Sequence, residues 1–190
     1  MKKFAVLFTT IGAIGGLGSG VSAQQSVEHK ANQPYAGQQT RQVSSLSDEE
    51  VKNFLSGRGM GLAKSAELNG FPGPAHVLEL ESALSLSVEQ KTKVVNAFNA
   101  MQSNAVDLGV RYVAAETAVD SAFQAGSAPT EIAVAVAEAN RLLGEIRMSH
   151  LKAHLEITPL LTPAQRAKYA NLRGYAGQSG DPNATPQHKH

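Results

Sequence analysis

The sequence lacks cysteine and tryptophan, and its aromatic residues are limited to six phenylalanines and four tyrosines. The absence of cysteine excludes disulfides, thiolate metal sites and a cysteine nucleophile. With so few aromatic side chains, a core must be built mainly from Ala, Leu, Val and Ile. The 17 basic and 16 acidic residues give a formal charge of +1, without the basic surplus typical of nucleic-acid binders. The composition therefore indicates a helix-rich chain with an aliphatic core.

Residues 1–23 have the pattern of a secretory signal peptide. Lys2 and Lys3 form its basic region, a largely apolar stretch follows, and small residues before and at Ala23 predict cleavage after that residue. The apolar stretch is too short and too rich in glycine for a membrane span of about 20 residues. No later segment is long and apolar enough to cross a bilayer. We therefore expect a periplasmic protein without a transmembrane span after cleavage.

The rest of the chain divides into three parts by composition. Residues 24–45 are polar and lack any apolar period, which predicts a disordered leader. Residues 176–190 are rich in Gly, Pro and Asn and contain two histidines, which predicts a flexible tail. Residues 46–175 between them are predicted to form one helical domain.

Three capping boxes predict helix starts in this domain, because each pairs a hydroxyl residue with Glu or Gln three positions later. They lie at Ser47, Ser87 and Thr162. The first opens a short helix through Leu55, the second a long helix to about Gln124, and the third a final helix to about Arg173. Pro74 at a first helical position predicts another helix over residues 75–84. The glycine-rich stretch before Pro74 is predicted to hold only one or two helical turns.

Apolar residues recur at alternating spacings of four and three from Val94 to Ala122 and again from Ile132 to His150. That period is typical of helices that pack along one seam. A glycine at position 126 separates the two runs. We predict an all-α fold, with a long antiparallel helical hairpin and shorter flanking helices. The flanking helices, or a second copy of the chain, must cover the remaining apolar surface.

Residues 86–90 and 161–165 share one pattern: Leu, a hydroxyl residue, two variable positions and Gln. Taken alone, the pattern describes two ordinary capped helices with a leucine staple. Two such pentads, bracketing a hairpin behind a signal peptide, resemble those of the LTxxQ-motif, Spy/CpxP-like periplasmic proteins and their heavy-metal-resistance and heavy-metal-sensor relatives. The resemblance covers about residues 46–175. It extends to residues 59–64, 67–70, 72–78, 150–155 and 172–175.

This resemblance implies a hooked four-helix hairpin that is often a homodimer. Some members of the family are ATP-independent chaperones that hold unfolded clients. Others bind a divalent metal and report it to an envelope-stress or metal-resistance system.

His150 and His154 are one helical turn apart in the second long helix. Two neutral imidazoles so placed can bind one divalent ion. The alternative is that His150, which continues the apolar seam, is a packed core residue. With the turn near residue 127, His150 faces Asn104 and His154 faces Ala100. The preceding helix folds back to bring His76 level with Asn96, about 6 Å from the level of His154.

The sequence therefore predicts a metal site at His76, His150 and His154, with Glu79 as a further candidate ligand. Zinc, nickel, cobalt and copper are the candidate ions, because imidazole serves all of them. The layout is similar to that of the metal-sensing relatives, in which ligands come from the first, second and third helices. It departs from theirs at Leu80, which stands where a second histidine of the first helix would be. The remaining histidines, at positions 29, 188 and 190, are expected to be solvated.

The leading functional prediction is a periplasmic metal-responsive protein for heavy-metal binding, sensing or resistance. The alternative is a Spy-like holdase without a dedicated metal site. Expected partners are a second copy of the chain and either a membrane-bound sensor or anti-sigma protein or unfolded clients, with no nucleic acid. We expect no enzyme, because the sequence has no Ser-His-Asp order, no glycine-framed serine and no sign of a paired-carboxylate cleft.

Overall fold

A computed structural model of the protein describes residues 33–175. The predicted signal peptide, residues 24–32 of the predicted leader and the tail at 176–190 lie outside the described residues. Residues 33–175 form helices joined by turns and contain no strand, so the all-α prediction is confirmed. None of these helices combines the length and the apolar character that a membrane span requires.

Seven α-helices follow one another along this part of the chain. They are α1 (Asp48–Leu55), α2 (Lys64–Glu67), α3 (Pro74–Glu79), α4 (Glu81–Leu84), α5 (Val88–Gln124), α6 (Pro129–Ile157) and α7 (Pro163–Leu172). A single 3-10 turn, Thr158–Leu160, joins α6 to α7. The predicted ends of α1, α5 and α7 agree with the structure to within one residue.

The three predicted capping boxes all form. At Ser47, Ser87 and Thr162 the hydroxyl accepts the backbone N–H three residues on, and the Glu or Gln side chain there accepts the N–H of the cap. After α5 the chain turns at Gly126, whose φ of 63° lies in the left-handed region that favours glycine. These helix starts and this stop therefore follow from local chemistry.

The two glutamines of the repeated pentads also bind each other. Gln90 Nε2 donates to Gln165 Oε1 at 2.8 Å, and Gln165 Nε2 donates to Gln90 Oε1 at 3.0 Å. Each amide also donates to a backbone carbonyl next to the other pentad, Gln90 to Leu160 and Gln165 to Leu84. The pentads thus cap two helices and join the start of α5 to the start of α7.

Helices α5 and α6 form the predicted antiparallel hairpin. Asn104 Nδ2 donates to Ser149 Oγ across the pair at 3.1 Å, one residue from the predicted pairing of Asn104 with His150. Two hydrophobic cores lie at different levels of the hairpin. The first contains Val43, Leu46, Phe54, Leu108, Tyr112, Ala139, Leu142 and Ile146. The second contains Val77, Leu84, Val94, Ala97, Ile157, Leu161 and Tyr169.

The single helix predicted over residues 75–84 is instead two short helices, with Leu80 between α3 and α4. Val77, Leu78, Leu80 and Leu84 all contact the second core. On one straight helix, Leu78 and Leu80 would project about 160° apart, because successive residues turn by 100°. The break therefore allows both leucines to reach the same core.

The predicted disordered leader is wrong for residues 37–45, which belong to the same compact unit as the helices. Val43 is 1% exposed and belongs to the first core. The Ser44 N–H donates to Asp120 at 2.7 Å, and Ser45 Oγ donates to Glu116 at 2.6 Å. One buried valine and two hydrogen bonds to α5 fix this segment, and none of them produces a periodic pattern in the sequence.

Candidate metal site

A cavity of about 860 Å³ contains all three predicted histidines in its wall. On α6, His150 and His154 lie between Ile146 of the first core and Ile157 of the second. His76 reaches the same cavity from α3. The structure therefore brings together side chains that are 74 or more positions apart in the sequence, at the level of the hairpin that the register arithmetic predicts.

His154 is held in one orientation by the backbone. Its Nδ1 lies 2.7 Å from the carbonyl oxygen of Phe71. Because a carbonyl only accepts, Nδ1 carries a proton, and in the neutral form of the ring the lone pair is therefore on Nε2. A β-carbon at position 73 would lie 2.9 Å from Cε1 and 3.1 Å from Nε2 of this ring, so the backbone at Gly73 packs closely against it. Metal-binding histidines are commonly fixed by such a bond from their other ring nitrogen.

His150 is 5% exposed, and its Nε2 has no hydrogen-bond partner within residues 33–175. Burial, and then the nearby His154, lowers the pKa of His150, so the ring is neutral near pH 7. The backbone at Gly59 packs against this ring, since a β-carbon there would lie 3.3 Å from both Nδ1 and Cε1. If His150 were only a packed core residue, its burial would be explained, but the lack of a hydrogen-bond partner for its Nε2 would not.

Glu67 of α2 lies between the other two histidines. Its side chain is 10% exposed, with Oε1 3.4 Å from His76 Nδ1 and Oε2 3.8 Å from His154 Nδ1. A role for Glu67 could not be predicted from sequence, because the residue lies in a glycine-rich stretch without an apolar period that would indicate where its side chain points. Its only signal was its place at the start of residues 67–70, a segment cited for the family resemblance.

Glu67 is also bound to the C-terminal part of the domain. Tyr169 and Tyr175 donate their hydroxyls to Oε1, the latter at 3.2 Å, and Arg173 Nε lies 3.6 Å from the same oxygen. Burial, and then the bond to Glu67, raises the pKa of Tyr169. Oε2 accepts the backbone N–H of Gly73 at 3.1 Å. Glu67 therefore connects α2, the start of α3 and α7.

His76 is occupied on both nitrogens. Its Nε2 lies 3.3 Å from Arg173 Nη2, and because the guanidinium only donates, Nε2 accepts and Nδ1 carries the proton toward Glu67. No three His, Asp or Glu side chains in residues 33–175 are grouped so that they could hold a metal ion in this conformation. Coordination by His76 would require Arg173 to move.

Glu79, the further candidate ligand, is exposed at the end of α3 and is not among the residues that line the cavity. The carboxylate beside the histidines is Glu67 instead. The site therefore offers two buried imidazoles on one face of α6, with a carboxylate and a third imidazole engaged in other bonds beside them.

No family model, curated protein or solved structure matches the chain.

Proposed function

We propose that the chain is a periplasmic metal-responsive protein that binds a divalent transition-metal ion in this cavity. His154 Nε2 and His150 Nε2 would be the first ligands, with Glu67 and His76 as further donors. The observation that carries the proposal is the pairing of His154, fixed by the Phe71 carbonyl, with the unpartnered Nε2 of His150 one turn away. The signal-peptide pattern and the two pentads support the proposed location and family.

Metal binding at this place would be linked to the C-terminal helix. An ion that draws Glu67 or His76 into coordination competes with Tyr169 and Arg173, which contact those groups in this structure. A ligand that favours one of two arrangements shifts their populations by its difference in affinity. We propose that release of α7 is the signal that a second copy, or a membrane-bound sensor or anti-sigma protein, would detect.

Calorimetric titration with Zn²⁺, Ni²⁺, Co²⁺ and Cu²⁺ tests this function. The parent protein should carry Ala at positions 29, 188 and 190, so that only the cavity histidines remain. Replacing both His150 and His154 by Ala should reduce affinity by at least about 100-fold, since both first ligands are lost. Glu79→Gln is the matched control and should bind like the parent. Equal affinity in the double variant and the parent would refute the site.

A holdase is the second candidate, because the long helices carry exposed apolar side chains. Phe123 and Val134, near the turn of the hairpin, are 63% and 71% exposed, and Val110, Met148 and Leu155 are also exposed. Contiguous apolar patches are typical of sites that contact other proteins.

Aggregation of an unfolded client, measured with EDTA present, tests the holdase. We expect suppression by the parent and weaker suppression when Phe123 and Val134 are both changed to Ser. A lack of suppression at several-fold molar excess of the parent would count against this function, whatever the metal titration shows.

A further inference from the structure

Two thioether side chains share the cavity with the histidines. Apart from Met1 the chain contains three methionines, and two of them, Met60 and Met101, line the cavity that holds His150 and His154. The third, Met148, is 59% exposed on α6 and lies outside the cavity. The methionines are thus concentrated where the imidazoles are.

Met101 is level with the histidine pair. Asn104 pairs with Ser149, so in an antiparallel hairpin Met101, three residues earlier on α5, faces the level of residue 152. That level lies between His150 and His154, within about 3 Å of each along the axis, because the rise is 1.5 Å per residue. Met101 is only partly buried, although it belongs to the apolar seam of α5.

Met60 is held in an unusual backbone conformation. Its φ is 42°, in the left-handed region, and it lies between Gly59 and Gly61 in the loop that forms one wall of the cavity. A residue with a β-carbon is disfavoured in this conformation, whereas glycine adopts it without the same steric strain. Gly59, directly before it, packs on the His150 ring. Backbone strain of this kind is concentrated at functional sites.

We infer that Met60, Met101 and His150 form a soft-metal subsite of the cavity, whose ion class is Cu(I), with Ag(I) as its redox-inert equivalent. Thioethers are soft ligands that select Cu(I) over harder divalent ions, and imidazole also binds copper. The buried, unpartnered Nε2 of His150 supplies the nitrogen donor. The inference rests on the proposed function only in placing metal in this cavity, and it names the class of ion. Methionines that merely fill apolar space would bind no such ion.

Two titrations test the subsite, one with Ag(I) and one with Cu(I) under argon against a competing chelator. Both use the parent protein that lacks the histidines at positions 29, 188 and 190. Met60→Leu and Met101→Leu keep the apolar volume and should each lower Ag(I) affinity at least about tenfold, through loss of a soft ligand. Met148→Leu is the matched control and should change nothing. Methyl NMR signals of Met60 and Met101, and not that of Met148, should shift with Ag(I).

Met60→Gly separates a binding defect from misfolding. Glycine relaxes the left-handed backbone, so this variant should unfold at higher urea concentration while it binds Ag(I) more weakly. A parent that does not bind Ag(I), or a Met60→Leu, Met101→Leu double variant that binds it as tightly as the parent, overturns the inference. Failure here with intact, histidine-dependent Zn²⁺ binding leaves the proposed function standing. Methionine-dependent Ag(I) binding without divalent binding would refute only the divalent site.

Discussion

Gly109→Ala should lower the free energy of unfolding by about 2–3 kcal/mol, in the range measured for overpacked cores. Gly109 lies on α5 where the end of α1 crosses it. A β-carbon at this position would lie 2.1 Å from the carbonyl oxygen of Phe54 and 2.7 Å from its carbonyl carbon. Both are backbone atoms, so no side-chain rotation relieves the contact. Urea unfolding followed by circular dichroism measures the loss.

The close contact created at position 109 also affects the first core, because Phe54 belongs to that core. Its ring packs edge to face on Tyr112, with centroids 4.6 Å apart, and both residues are buried. If α1 shifts to make room for the new methyl group, this pair separates and the core loosens. The more favourable helix propensity of alanine, about 1 kcal/mol, offsets only part of this cost.

Gly144→Ala is the matched control for this prediction. Gly144 is an interior residue of α6, and nothing lies within 4 Å of the position its β-carbon would take. Alanine there should therefore stabilise the protein by about 0.5–1 kcal/mol. If Gly109→Ala raises the unfolding midpoint as Gly144→Ala does, the close approach of α1 to α5 is refuted.

The parts of the fold that sequence could predict are those set by neighbouring residues. Capping boxes and the four-three apolar period predicted the ends of α5 correctly, because both patterns depend only on neighbouring residues. The turn at Gly126 then fixed the register, and the register placed His76, His150 and His154 at one level. These steps use only the helical rise and the direction of the chain.

What sequence could not predict depends on contacts between distant segments. Val43 is one apolar residue in a polar stretch, and its burial depends on a groove formed by helices that follow it. No sequence pattern marks Gly109, and its role depends entirely on α1 crossing α5 at that position. The pairing of Gln90 with Gln165 was likewise hidden, since each already has a sufficient local role as a cap.

The candidate site divides in the same way. The histidine pair on α6 could be predicted from its spacing, and its level from the register. Glu79 was chosen because it follows His76 by one turn, yet the carboxylate that reaches His76 is Glu67, from a different helix. A glycine-rich chain path between α1 and α3 places Glu67, and no local signal predicts such a path.

Glu67→Ala should be the most damaging single change at the site, lowering the free energy of unfolding by about 2–4 kcal/mol. The Glu67 carboxylate accepts hydrogen bonds from Tyr169, Tyr175 and the Gly73 N–H. Its removal leaves the hydroxyl of the buried Tyr169 and the Gly73 N–H without this acceptor, and Arg173 without its counter-charge. The remaining exposure of Arg173 keeps the estimate below that for a fully buried pair.

Proteolysis near α7 and unfolding of the whole domain in urea together test the role of Glu67. Glu67 connects α2 to α7, so in Glu67→Ala trypsin should cleave after Arg173 faster than in the parent under native conditions, in addition to the lower urea midpoint. Glu67→Gln keeps one acceptor oxygen, so its urea midpoint and its rate of cleavage should lie between those of the parent and Glu67→Ala. Glu79→Ala, at an exposed position, should stay within about 0.5 kcal/mol of the parent. If Glu67→Ala behaves like Glu79→Ala in both measurements, the carboxylate does not anchor α7, and the proposed link between metal binding and release of that helix fails with it.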